Sequence, residues 1–561
     1  MLVSSLGSSR LRWLYALLCV GLLYVTLSWL YTGHAYVLPS GDPDSERFEG
    51  ATWQERLGKQ KDRIASTLKT WLPKPHNSTE PLPPLPSDYD YERAQPEFCQ
   101  KRFGLDYLYD LRDTATQYCT DDSSSPMTCF RSRLHFPLRT DTFCVAKNAH
   151  FNAGEKKVEL GCKQRQFSEE EKAANVPTVD EFCDYNNWMG VGPWYIFNET
   201  ITLLNDSKSA AGRLPSASPG GRAKHKFTIL IKRDWPLNLW HFTVDLISMV
   251  LSLDVLQMTI DPATEEPFFQ PDDEENTQII ILDGREDGPF LDAWNKFARL
   301  PIRRIEHISA DEDLGTIIVP LPGVSNPMWY GCWRYHNCQQ AWHWLRTFRN
   351  RMLQRYGLID SVREMKPYAE NPEEPSQMFP DWNEKIVVTV IRRKGSRQLV
   401  NQQECIDALK KAFPDIQVNV YDFAQLDFAA QLNVTHNTNV LVGVHGAGMM
   451  HTIYLRPGSA VVEIQPQSNT FQGHRNFARG LELEYYMTHG KDAKTEEELR
   501  EEEEAERAGK DERSVAVAGG LQKRYDWQTN NVMVEPDRFV RLVGAAIYAV
   551  YGKRDDTEDV M

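Results

Sequence analysis

Two short stretches hold the residue types best suited to chemistry. In Val440-Leu-Val-Gly-Val-His445-Gly446-Ala447-Gly448 an apolar run ends in a turn of small residues that carries a histidine. Small residues let backbone N–H groups approach an anion, and a helix starting there adds partial positive charge. Arg393 and Arg397 follow the earlier apolar run Ile386–Ile391, at the kind of strand end where parallel α/β sheets place their ligands. Two guanidiniums beside loop amides suit a diphosphate, and the site reads as one for a nucleotide sugar. The second stretch is Asn238-Leu-Trp-His241-Phe-Thr-Val-Asp245. His241 and Asp245 are spaced i, i+4 and share one helix face, and a carboxylate beside an imidazole can take a proton from a hydroxyl. Spacing alone serves equally for a buried His–Asp hydrogen bond with Asn238 as helix cap; the position after a strand favours chemistry.

The elements that must position these residues form an alternating series. Strands are expected at 227–232, 278–282 and 316–320, with helices at 239–258 and 339–356. After a Pro-, Glu- and Asn-rich linker at 366–384, the pattern resumes with strands at 386–391, 416–421, 440–444 and 460–464. Helices at 402–412, 423–432 and 448–455 separate these strands, and one at 537–551 closes the chain. Two strand–helix blocks imply an α/β fold of two facing parallel-sheet domains. The implied boundaries are a tail and membrane anchor at 1–39, a Pro-rich stem at 40–97 and a Cys-rich region at 98–206. An acceptor-side domain then spans 207–378, and a nucleotide-sugar-binding domain 379–561. The acidic insertion at 494–514 reads as a solvated segment, with a docking element as its alternative.

The 561 residues exceed what one core supports, so more than one domain is expected. Hydrophobic residues at 41% and aromatics at 11% argue for a folded body. With 63 basic and 78 acidic residues the net charge is −15, which disfavours nucleic acid as partner. Leu14–Tyr31 is almost wholly apolar and follows Arg10 and Arg12, long enough to span a bilayer with its basic side cytoplasmic. A cleaved signal peptide is the alternative; either places the body in a secretory lumen. Sequons at Asn77, Asn198, Asn205 and Asn433 agree. So do the cysteines. Cys99, Cys119, Cys129, Cys144, Cys162 and Cys183 form one group, Cys332 and Cys338 another, and Cys405 stands alone. Six plus two points to four disulfides and one free thiol. The six permit ~15 pairings, which sequence does not choose between.

Arg393-Lys-Gly-Ser-Arg397-Gln-Leu-Val-Asn401, Val444-His-Gly-Ala-Gly448 and Leu455-Arg-Pro-Gly-Ser459-Ala-Val-Val-Glu463, together with the Asn238/His241/Asp245 segment, resemble glycosyltransferase family 61 in order and separation over roughly 225–550. The resemblance implies a GT-B fold and an inverting transfer from a UDP-sugar, without a metal cofactor. N-acetylglucosamine or xylose would pass to a hydroxyl of a secretory glycan or glycoprotein. It implies that Arg393, Arg397, Asn401, His445, Gly446, Ala447 and Gly448 hold the donor, with Glu463 near the ribose. Asp245 would be the base and His241 the second choice, with Asn238 on the acceptor side. It also implies a single-pass type II protein of the Golgi or endoplasmic reticulum. His451 and the acidic insertion depart from the family pattern.

Three other readings compete. A metal-dependent transferase needs paired aspartates after a strand; Asp88/Asp90 lie in the stem, Asp311/Asp313 follow no clear strand, and Asp283 with Asp287 is the better-placed pair. Gly443, Gly446 and Gly448 give a dinucleotide-type loop with the glycines in the wrong order. An inactive glycan- or nucleotide-binding protein would keep the same residues without transfer.

Overall fold

The computed structural model describes residues 83–89, 95–134, 139–184, 190–205, 226–310, 312–331, 333–360, 385–495, 497–498, 500 and 526–552. The apolar run 14–31, Asn77, Cys332, the linker 366–384 and most of the acidic insertion lie outside them. The first sheet has nine strands: β1 (Thr116–Gln117), β2 (Met127–Ser132), β3 (Asp141–Asn152), β4 (Lys157–Leu160), β5 (Ile201–Leu203), β6 (Phe227–Ile231), β7 (Thr277–Ile281), β8 (Arg303–Arg304) and β9 (Asp313–Val319). Their order is β1-β2-β3-β9-β6-β7-β8, with β4 beside β3 and β5 beside β4. β9, β6, β7 and β8 run parallel, while β3 joins β9 antiparallel. The Cys-rich strands thus extend the same sheet.

Strand alternation explains the layers. Ile229, Ile231, Ile279 and Ile281 enter one apolar cluster with the helix α1 (Leu239–Gln257), while Leu230, Ile280, Ile317 and Val319 enter another with Cys119, Cys129, Cys144 and Cys162. α1 is the one described helix long and apolar enough to cross a membrane, and it is 83% buried: a core helix. Disulfides Cys119–Cys162 and Cys129–Cys144 staple the second cluster. Cys99 pairs with Cys338, which corrects the expected separation into an early group of six and a later pair: a bond across 239 residues follows tertiary proximity, not clustering along the chain. Cys405 is buried and free.

The stem was expected to build no packed core, yet Leu85 and Tyr89 pack on the main cluster. Asp88 accepts from Arg351 at 2.6 and 2.8 Å, and Arg351 also pairs with Asp254 at 2.8 Å. α2 (His343–Arg355), which carries Arg351, packs against α1.

The second sheet contains β10 (Val387–Ile391), β11 (Gln417–Tyr421), β12 (Val440–Val444), β13 (Ala460–Gln465) and β14 (Glu484–His489), all parallel, in the order β11-β10-β12-β13-β14. Val440, Val442, Val444, Val462 and Ile464 face α3 (Gln402–Ala412) and α4 (Pro536–Gly552); Leu441 and Val461 point the other way, into the cluster that contains α1 and α2. The mixed α/β class expected from the strand–helix alternation holds. The expected helix at 423–432 divides into a 3-10 turn at Phe423–Gln425 and an α-helix at Phe428–His436, capped by Asp427.

Candidate active site

β10 lies between β11 and β12, so the chain leaves β10 toward one side and returns to β12 on the other. The carboxyl ends of β10 and β12 flank a topological switch point, where open α/β sheets form their ligand crevice. Arg393 and Arg397 leave β10 there, and His445 to Gly448 leave β12. Gly446 has φ +150°, and a Cβ on it would lie 2.6 Å from Arg393 Nη1 and 3.2 Å from Arg397 Cζ. Only glycine admits both guanidiniums. It also precedes the 3-10 helix Ala447–Tyr454. Arg397 itself adopts φ +57°, a conformation that costs a bulky residue energy and concentrates at functional sites.

The two arginines are poorly compensated. Burial pushes the Arg393 pKa down, and burial together with the Arg393 charge pushes Arg397 down to about 10. Arg393 Nε donates to the Ser396 carbonyl at 3.2 Å, and Arg397 Nε is buried without a hydrogen-bond partner. Among the described residues no carboxylate pairs with either guanidinium.

Behind the loop, Glu463 on β13 is fully buried. Its Oε1 accepts from His445 Nδ1 at 2.6 Å and His474 Nδ1 at 2.8 Å, and Oε2 accepts from the Tyr485 hydroxyl. Burial alone would raise the Glu463 pKa; His474 and the hydrogen bonds from both imidazoles outweigh it and hold the carboxyl far below its usual range. Burial pushes His445 down to about 4 against the pull of Glu463, so His445 is neutral near pH 7, with its Nδ1–H on the carboxylate and Nε2 as acceptor. Both Glu463 oxygens accept hydrogen bonds within the protein, and His445 is held by one of them. His445, Glu463 and His474 also bring possible metal-ligand atoms within 4.8 Å of one another, at contact lengths of hydrogen bonds.

α1 starts the second half of the site. Asn238 caps it, accepting from Trp240 N at 2.9 Å. His241 does not pair with Asp245, as the i, i+4 spacing led one to expect; its Nδ1 bonds Asp234 Oδ2. The turn Arg233-Asp-Trp-Pro folds back over the helix start and brings Asp234 closer than the next helical turn can. Asp245 instead accepts from Asp234 N at 3.2 Å and Gly323 N at 3.0 Å. Burial, then the charge of Asp234, pushes its carboxyl up to about 8. The His241 ring is partly exposed between Trp235 and Trp329, at centroid distances of 5.6 and 5.3 Å. Trp240 reaches the second block, 5.6 Å from Phe471, which lies 5.0 Å from His445. The helix start and the Gly446 loop thus belong to one neighbourhood.

Asn401 Nδ2 donates to Val534 O at 2.8 Å and its Oδ1 accepts from Val534 N at 3.3 Å, holding the chain before α4. His451 bonds Gly448 O and Gln431 at 2.8 and 2.9 Å in the interior. Asp283 and Asp287 are held by arginines; Arg233 reaches each at 2.8 Å and Arg304 reaches Asp287 at 2.7 Å. A cation there would have to displace two guanidiniums. Ala447 and Gly448 are partly exposed, and Asn198, Asn205 and Asn433 are exposed. Sequence reasoning missed Asp234, His474 and Tyr485. Asp234 was legible as a carboxylate beside the helix cap; His474 and Tyr485 carry no spacing signal.

Parallel strands, a basic switch-point crevice and an imidazole–carboxylate pair define a glycosyltransferase-like site. Comparison with known proteins agrees. Residues 239–462 match the family Glycosyltransferase 61. It is 25% identical to the EGF domain-specific O-linked N-acetylglucosamine transferase of Pan troglodytes over 43% of this chain and 40% of that protein. The protein of the same name from Drosophila melanogaster is 26% identical over 42% and 40%. The one from Gallus gallus is 37% identical over 14% and 15%. The chain aligns with well under half the length of these relatives.

Proposed function

We propose that the chain is an inverting, metal-independent GT-B transferase. It moves a sugar from a UDP-sugar to a hydroxyl of a secretory glycan or glycoprotein, in the Golgi or endoplasmic reticulum, anchored by Leu14–Tyr31. The carrying observation is the pair Arg393 and Arg397, desolvated and unmatched by any described carboxylate at the switch point. Such a pair is complementary to a diphosphate, whose charge grows as the sugar–phosphate bond breaks. The two guanidiniums, with amides of the Gly446 loop, would do the work a divalent cation does elsewhere. N-acetylglucosamine, the sugar in the relatives' name, is the donor sugar favoured over xylose. The three disulfides among the described residues fit an oxidising lumen.

His241 takes the acceptor proton in this reading, and Asp234 fixes its tautomer through Nδ1. The acceptor oxygen forms its bond to the anomeric carbon as the bond to the diphosphate oxygen breaks on the opposite face; the electron pair leaves with UDP and the proton stays on His241. Asp245, first choice from sequence, is protonated near neutrality and tethers the loops at 234 and 323. Thermal stabilisation by UDP in EDTA tests the donor site. A shift in EDTA is expected; a shift appearing only with Mn²⁺ would refute metal independence.

A further inference from the structure

The loop 333–338 combines a pinned backbone with exposed rings. Trp333 is 53% exposed and Tyr335 65%, whereas His336 between them and Cys338 is buried. Cys338 is bonded to Cys99. Asn476 Nδ2 donates to the carbonyls of Gly331 and Arg334 at 2.9 and 2.6 Å, and its Oδ1 accepts from His336 N at 3.3 Å. Arg475 donates to His336 O at 3.2 Å and lies 3.8 Å over the Tyr335 ring. Solvent-exposed Trp and Tyr held this firmly cost little entropy when a ligand covers them.

The platform adjoins the site. Trp333 stands edge-on to Phe471 at 5.3 Å, and Phe471 is 5.0 Å from His445. On the other flank Trp235 is 45% exposed and 5.6 Å from His241.

Resting on the transferase reading above, we propose that Trp333 and Tyr335 are the acceptor platform and that the acceptor is a glycan, one of whose sugar rings lies with its C–H face on the Trp333 indole. The polar residues Arg334 and Asn337 on the same loop are exposed beside these rings. A polypeptide acceptor would anchor side chains in apolar pockets. The apolar hollow at the start of α1, lined by Pro236, Phe242, Phe290 and Trp294, holds only about 10 Å³, room for about one water. Flat exposed rings fit a stacked sugar.

Saturation-transfer NMR on the full chain tests this with manno-, xylo- and chito-oligosaccharides and an unglycosylated EGF domain as probes. Saturation transfer to the ring C–H protons of at least one saccharide is expected. Its affinity should fall ~10-fold in Trp333→Ala and recover in part in Trp333→Phe. UDP-induced stabilisation, read on the same samples, reports the donor site separately; its loss in the unsubstituted chain would sink the transferase reading while the saccharide result still judges the platform. Silence from every saccharide, binding of the EGF domain alone, or unchanged saccharide affinity in both Trp333→Ala and Tyr335→Ala would overturn the proposal.

Discussion

Replacing Arg397 by Met should separate binding from stability. Met keeps much of the side-chain stem, and the φ of +57° is unaltered, so backbone strain cancels from the comparison. A guanidinium brought down to about 10 is disfavoured in the fold by roughly 3 kcal/mol relative to water. Partial exposure discounts this to about 1–2 kcal/mol. Arg397→Met should therefore leave unliganded stability unchanged or raise it by up to ~1–2 kcal/mol in urea unfolding. UDP loses a charge-assisted contact of about 2–3 kcal/mol, which weakens Kd by roughly 30–150-fold in calorimetric titration. The opposite pattern, a loss of about 2 kcal/mol or more of stability with UDP affinity kept within about threefold, would show that the arginines are structural and refute the anion-site argument.

His241→Asn should lower kcat by ~10²–10⁴ with UDP binding intact, and Asp234→Asn should lower it less while altering the pH–rate profile; full transfer by His241→Asn excludes it as base. Asp245 is raised to about 8 in the fold, so the folded state holds a proton that the unfolded chain releases near 4. Its contribution is complete below about 4 and declines as pH rises to about 8. Asp245→Asn should remove roughly 2–5 kcal/mol of that decline in unfolding titrations, and an unaltered slope would contradict the raised pKa. Glu463 is depressed in the fold, so its contribution is complete above its ordinary value of 4.5 and is lost only as pH falls through the much lower folded value. Glu463→Gln should cost about 3–5 kcal/mol at pH 7, with a smaller difference in acid; a cost below about 1 kcal/mol would be incompatible with a triply hydrogen-bonded carboxylate.

Local pattern settled much of this protein before any contact was considered. Buried parallel strands show as short apolar runs and helices as a 3.6-residue period, so strands Phe227–Ile231, Thr277–Ile281, Asp313–Val319, Val387–Ile391, Gln417–Tyr421, Val440–Val444 and Ala460–Gln465, helix Leu239–Gln257 and the closing helix Pro536–Gly552 were legible within a few residues, whereas the short strand Arg303–Arg304 was not. The small-residue turn after Val444 and the arginines after Ile391 were legible for the same reason: both follow strand ends. Tertiary structure alone decided which partners met. Whether β10 neighbours β12, and so whether Arg393 lies against Gly446, depends on strand order, which no local period encodes. The pairing of His241 with Asp234 depends on a chain reversal that helical spacing cannot anticipate. Glu463 gathers His445, His474 and Tyr485 from three separate segments, and Cys99 reaches Cys338 across 239 residues. Such contacts arise from burial of the chain as a whole, where desolvation makes an unpaired charge costly and thereby selects its partner.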